Sequence, residues 1–142
     1  MNYFSGNSPN PNGESLENGD HVHRRVLVVE DDADLREIYS AVLSHAGYRV
    51  DIAEDGEAGW QALQAESFEP DGYDLLITDN NMPKMSGIEL IRKLRSERMI
   101  LPVILASGSV PIQVEWLHQE PVLRKPFSPE ELMQKVREVL QA

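Results

Sequence analysis

The sequence predicts an α/β fold built on a doubly wound, five-stranded parallel sheet. Three observations lead there. Short aliphatic runs without polar alternation recur along the chain, as strands buried on both faces require. Segments of helical periodicity separate them, and short parallel connections need crossover helices. At 142 residues with 41% hydrophobic side chains, the chain is long enough for one such core.

Val26 to Val29 (VLVV) is the first strand. An amphipathic helix follows, with Leu35, Ile38, Tyr39, Val42, Leu43 and Ala46 on one stripe and Gly47 at its C-terminal cap. Tyr48 to Ala53 reads as the second strand and Gly56 to about Ala65 as the second helix, carrying Ala58, Trp60, Ala62 and Leu63. Pro70, Asp71 and Gly72 mark a loop before the third strand, Leu75 to Thr78. Ile88, Leu90, Ile91 and Leu94 define a third helix ending near Arg98, and Pro102 introduces the fourth strand, Val103 to Ala106. Gly108 to Gln119 contains Pro111 and few apolar positions, so a short or irregular fourth helix is expected there. Val122 to Arg124 is a brief fifth strand. Ser128 as N-cap, Pro129 and a capping-box Glu131 then open a last helix buried through Leu132, Val136, Val139 and Leu140.

Residues 1–24 read as a disordered or loosely ordered polar tail, and 25–142 as the folded domain; Asn, Ser, Gly and Pro dominate Met1 to His23. The formal charge of −11, with no helix-turn-helix segment, argues against direct nucleic-acid binding. Without cysteine there is no disulfide framework, thiolate metal site or cysteine nucleophile. No apolar run approaches the roughly 20 residues needed to span a bilayer, and no export signal is visible at the start. A soluble cytoplasmic protein without membrane contact is the expectation. The charge is uneven: residues 26–79 hold 14 acidic and 2 basic side chains, whereas 80–142 hold 7 and 9. A solvated surface and a divalent-cation site are the two readings of that concentration.

In doubly wound sheets ligands sit beyond the carboxyl ends of the strands, near the topological switch point. Glu30, Asp31 and Asp32 follow the first strand, Asp79 the third, Ser107 the fourth and Lys125 the fifth. Each has a plain structural reading: acidic residues cap helices, aspartates end strands, Ser-Gly makes turns and lysines lie at surfaces. Together they would require four strand ends to carry compatible chemistry by coincidence. Carboxylates of Glu30, Asp31 and Asp79 in one pocket would repel unless a hard cation such as Mg²⁺ lay between them. With Lys125 as a mobile positive charge and Ser107 as a hydroxyl donor, the set suits a phosphoryl group, with Asp79 as the nucleophile that receives it.

At this point the sequence resembles the receiver domains of two-component response regulators. The resemblance runs over residues 25–142, through VLVVEDDADLRE, DLLITDNNMPKMSGIEL, PVILASG and LRKPFSPEEL. It implies a flavodoxin-like topology and a phosphoacceptor at Asp79. It further implies a Mg²⁺ or Mn²⁺ site of Glu30, Asp31, Asp79 and the backbone carbonyl of Asn81, with phosphoryl-contacting and switch roles for Ser107 and Lys125. Asp32 is not matched to a primary ligand. The implied donor is a phosphohistidine on a histidine kinase or histidine phosphotransfer protein, and the implied readout is binding of a downstream protein. The implied chemistry is confined to phosphorylation and dephosphorylation of the chain itself. Two positions depart from the pattern. The interval from Ser107 to Lys125 is 18 positions, roughly one helical turn shorter than is usual, and Val122 stands where many receivers have an inward-turning Tyr or Phe. A phosphorylation-independent interaction module and a Mg²⁺-dependent phosphohydrolase are the alternative functions. No output domain follows the last helix within this chain, and a single-domain regulator, a phosphorelay intermediate and a truncated receiver from a longer regulator are the open readings.

Overall fold

The computed structural model describes residues 24–66, 72–108 and 119–141. Its elements in chain order are β1 (Arg25–Val29), α1 (Ala33–His45), β2 (Arg49–Ala53), α2 (Gly56–Glu66), β3 (Leu75–Asp79), α3 (Gly87–Ser96), β4 (Val103–Ser107), β5 (Val122–Arg124) and α4 (Pro129–Gln141). The five strands form one parallel sheet in the order β2-β1-β3-β4-β5. The order reverses at β1, so β1 and β3 lie side by side at the centre although α1, β2 and α2 separate them in sequence. Val28 pairs with Ile77, and Val29 with Thr78, which brings the residues after both strands to one end.

The lack of alternation in the strands has a direct structural cause. Val26 and Val28 pack with Tyr39, Leu43, Leu132 and Val136 on the α1 and α4 side of the sheet. Leu27 and Val29 pack with Trp60, Leu63, Leu90, Ile91 and Leu94 on the α2 and α3 side. Val26, Leu27, Val28 and Val29 are each at most 1% exposed. Fully burying each such side chain contributes about 1.5–3 kcal/mol before the cost of ordering it.

Local signals hold at most boundaries. Ser128 and Glu131 form the expected reciprocal cap, with Glu131 N–H donating to Ser128 Oγ at 3.0 Å and Ser128 N–H to Glu131 Oε1 at 2.8 Å. Ser86 and Glu89 make a second capping box on α3. Gly47 adopts φ 101° just beyond α1, a left-handed position that costs a glycine no Cβ strain. Three expectations shift. Ile38 is 49% exposed: Leu35, Tyr39 and Leu43 face the core, and Ile38 lies at the lip of a small groove with Phe127 and Pro129. Tyr48 is buried in the turn ahead of β2 rather than within it. The third helix stops at Ser96 instead of near Arg98, which itself turns to φ 64°. Residues 109–118 of the span where a fourth helix is expected, Pro70 and Asp71 of the expected loop, and residues 1–23 of the expected tail lie outside the described residues. Arg24 is tied to the fold, donating from Nη1 to Leu140 O at 3.1 Å. Among the described residues, no helix is long and apolar enough to cross a membrane.

Two details seat the site. The N-terminus of α3 rests on the backbone after β3: Gly87 N–H donates to Asn80 O at 3.0 Å, and Ile88 N–H to Asn80 Oδ1 at 3.0 Å. A Cβ at Gly87 would collide with the Asp79 carbonyl oxygen, so this close approach requires glycine. Gly87→Ala is therefore expected to destabilise the protein by about 1–3 kcal/mol through a forced shift of α3, read as a lower urea midpoint.

At the far edge, Asp51 of β2 accepts from Tyr73 Oη at 2.6 Å and pairs with Arg25 Nη2 at 2.7 Å. The Tyr73 hydroxyl, followed by Arg25, holds the Asp51 carboxyl below its usual range despite partial burial. A depressed native pKa stabilises the fold above the unfolded value of about 4 and loses that contribution as pH falls through the native value. Tyr73→Phe is expected to cost about 0.5 kcal/mol at neutral pH, discounted because Asp51 is half exposed. Paired urea melts should show the gap between the two proteins narrowing below pH about 4.

Candidate functional site

The acidic run after β1 divides into three roles. Glu30 continues the strand ladder, its N–H donating to Ala53 O at 3.1 Å, and its side chain is buried at 2% exposure. Asp31 turns outward and is exposed. Asp32 caps α1, its Oδ1 accepting from Asp34 N–H at 2.9 Å and Leu35 N–H at 3.2 Å. The capping explanation thus applies to Asp32, whereas the Glu30 carboxylate points back into the strand-end cleft. Glu30 Oε2 accepts Asp32 N–H at 3.2 Å. Arg36, one turn into α1, donates from Nη1 to Glu30 O at 2.8 Å and to Asp31 O at 3.3 Å, holding the backbone of the pair.

Asp79 ends β3 at 6% exposure. Its carbonyl accepts from Thr78 Oγ1 at 2.9 Å, and the following Asn80 anchors α3 as described. Asn81 lies exposed in the loop beyond. Asp79 pairs in register with Ala106, so the buried Ser107 sits one step further along β4, on the cleft side. Lys125 follows β5, with its N–H on Ser107 O at 2.9 Å. Its Nζ lies 3.0 Å from Asp79 Oδ1 and 3.1 Å from Glu30 Oε1. The structure therefore brings the carboxylates of Glu30, Asp31 and Asp79 together, sets Lys125 against Glu30 and Asp79, joins Ser107 through the backbone, and leaves Asn81 on the adjoining loop.

Burial and charge compete within this group. Burial pushes the Glu30 carboxyl above its usual range, against the Asp32 N–H and the Lys125 ammonium, while Asp79 adds repulsion. Burial pulls the Lys125 ammonium down, but its bonds to Asp79 and Glu30 outweigh that and leave it above the usual lysine range. Lys125 is thus a firmly protonated cation.

One carboxylate oxygen from each of Glu30, Asp31 and Asp79 lies within 4.8 Å of the others, an arrangement that could hold a metal ion. The donor set fits a hard divalent cation: all ligands are oxygens, and three carboxylates against one ammonium leave a formal charge of two minus for the ion to balance. Exposed Asp31 leaves the cleft open to solvent, as an ion that keeps several waters needs. Arg36, Thr78 and Asn80 were not singled out from the sequence. Arg36 has a faint signal, one of only two cations, with Arg49, in the acidic stretch 26–79; Thr78 and Asn80 act by bonding their side chains to nearby backbone groups and have none.

A family model described as the response regulator receiver domain matches residues 26–137. The response regulator MprA of Mycobacterium ulcerans is 39% identical over 120 residues, covering 82% of this chain and 50% of that protein. Protein RcaC of Microchaete diplosiphon is 33% identical over 120 residues, covering 82% of this chain and 18% of that protein. The chain thus spans half or less of the length of these relatives. Among solved structures, the Thermotoga maritima response regulator TrrA in complex with Mg²⁺-BeF superposes with TM-score 0.73 at 29% identity, covering 82% of this chain and 99% of that one. The receiver domain of Francisella response regulator 1452 gives TM-score 0.72 at 28% identity, covering 83% and 97%. With a family model over most of its length and a parallel sheet of the same architecture, the chain belongs to the response regulator receiver domains.

Proposed function

We propose that this receiver accepts a phosphoryl group onto Asp79 from a phosphohistidine on a histidine kinase or histidine phosphotransfer protein. Its binding of a downstream protein then changes. The observation that supports the reading best is the convergence of three carboxylates from two neighbouring strand ends, with Lys125 Nζ 3.0 Å from Asp79 Oδ1. The Mg²⁺-BeF complex of the similar TrrA points the same way.

In this reading Glu30, Asp31, Asp79 and the carbonyl of Asn81 hold Mg²⁺ or Mn²⁺. An ion held there would supply charge neutralisation for phosphoryl oxygens. The Asp79 carboxylate attacks phosphorus; the new O–P bond forms as the P–N bond breaks, and its electron pair returns to the imidazole of the donor. Lys125 shifts from sharing its charge between Asp79 and Glu30 to holding a phosphoryl oxygen, and the Ser107 hydroxyl donates to another. Only an arrangement that offers both groups to the phosphoryl is stabilised by it, so phosphorylation moves the population towards that arrangement. Water later cleaves the acyl phosphate and resets the domain. The chemistry is thus confined to the domain's own aspartate.

Intact-mass spectrometry after incubation with acetyl phosphate tests the acceptor. A single phosphoryl adduct is expected with Mg²⁺, and none with chelator or in Asp79→Asn. If neither an adduct nor Mg²⁺-dependent fluoroberyllate binding is found, the reading fails. Partner binding indifferent to Asp79→Asn would then favour an interaction module, and turnover of an external phosphomonoester a hydrolase. Arg36→Met releases the carbonyls of Glu30 and Asp31 without removing a ligand. It is expected to weaken Mg²⁺ binding about tenfold, as loss of outer partners does elsewhere, in a titration followed by tryptophan fluorescence.

A further inference from the structure

Beyond the reactive end, the fold contains a closed ring of contacts through Asp79. Its first limb is α3, whose N-terminus is seated on the Asp79 and Asn80 backbone by Gly87 and on the Asn80 side chain by Ile88. Near the other end of that helix, Arg95 grips Glu120 with two parallel bonds, Nε to Oε2 at 2.8 Å and Nη2 to Oε1 at 2.9 Å. The Nη1 of Arg95 also donates to Met99 O at 2.8 Å, which orients the guanidinium. The Arg95 and Glu120 side chains are 31% and 11% exposed, so this is a partly buried, bidentate pair rather than a loose surface contact. From Glu120 the chain passes Pro121, whose carbonyl accepts Leu105 N–H at 2.9 Å, enters β5, and reaches Lys125 five residues later. Lys125 Nζ closes the ring on Asp79 Oδ1 at 3.0 Å.

We propose that Arg95 and Glu120 are positioning residues that restrain Lys125 through β5, so that breaking their pair eases the shift of Lys125 onto a phosphoryl group. The inference rests on the acceptor role proposed for Asp79. In the geometry described, Lys125 is shared between Glu30 and Asp79 while the Arg95–Glu120 pair is closed. Phosphoryl oxygens on Asp79 draw the ammonium away from Glu30. Lys125 N–H is bonded to Ser107 O, so that movement loads residues 121–125 together with the end of β4. A strap pinned at Glu120 and at the Asp79 backbone opposes it. Val122 stands where many receivers have an inward-turning Tyr or Phe, and the strap connects the acceptor to the chain leading into β5 without an aromatic side chain at that position.

The test is calorimetric titration of the full chain with fluoroberyllate in excess Mg²⁺, comparing wild type, Arg95→Met, Glu120→Gln and the exchanged pair Arg95→Glu with Glu120→Arg. Each single variant is expected to bind about fivefold more tightly, the lower end of usual coupling strengths, and the exchanged pair to return towards wild type. A merely structural pair would lower the melting temperature without moving this affinity. Glu120→Gln keeps the shape of the side chain and serves if Arg95→Met does not fold. Unchanged or weaker binding in the folded single variants overturns the inference alone, provided wild type binds. Absence of Mg²⁺-dependent binding in wild type overturns the acceptor reading and this inference with it.

Discussion

The Lys125 ammonium between Asp79 and Glu30 is the interaction on which the rest of the site depends. Two nearly buried carboxylates at the ends of adjacent parallel strands repel each other, and Asp31 adds a third negative charge beside them. Coulomb energies at such separations reach several kcal/mol at an effective dielectric of about 20. One ammonium within about 3 Å of both offsets part of that and leaves a charge deficit matched by a divalent ion. The elevated range of Lys125 and the elevated range of Glu30 are two sides of one balance, in which burial penalises every charge and mutual contact restores only some of them. A site in that condition responds readily to a newly arrived charged group.

That balance is available because the sheet is parallel and covered on both faces. Parallel pairing puts the carboxyl ends of β1, β3, β4 and β5 at one edge, so groups as distant in sequence as Glu30 and Lys125 meet there. The two apolar layers make the strands rigid, and rigidity keeps carboxylates together that would separate on a flexible loop. The same packing dictates smaller choices. Gly87 is needed because α3 lies directly on the backbone of the acceptor strand, and Arg36 is placed to hold two carbonyls because α1 starts one residue after Asp32.

Much of this was legible in the sequence because it was written in local patterns. VLVV and VILA without alternation signal strands buried twice over, and Ser128-Pro129-Glu130-Glu131 spells a helix start that the structure realises bond for bond. Convergence of Glu30, Asp79 and Lys125 followed from combining three strand ends with the rule for parallel sheets. Ile38 was misjudged because periodicity reports which face is apolar, not how far a neighbouring helix extends to cover it. Asp32 and Glu30 could not be separated by composition. Both are acidic and two residues apart, and only the backbone turn into α1 sends one to the helix amides and the other into the cleft.

By itself, the sequence determined the order and type of the elements among the described residues, the acidic character of one strand-end edge and the chemical kinds of group available there. These follow from residue type and short-range spacing, which propensity, capping and apolar period encode directly. Tertiary structure alone decided which oxygen faces which nitrogen: the sharing of Lys125 between two carboxylates, the grip of Arg95 on Glu120, and the seat of α3 on the Asp79 carbonyl. Such contacts join residues 25 to 95 positions apart or set backbones against each other at close approach. Their geometry depends on the packing of whole layers, which no local window of residues contains.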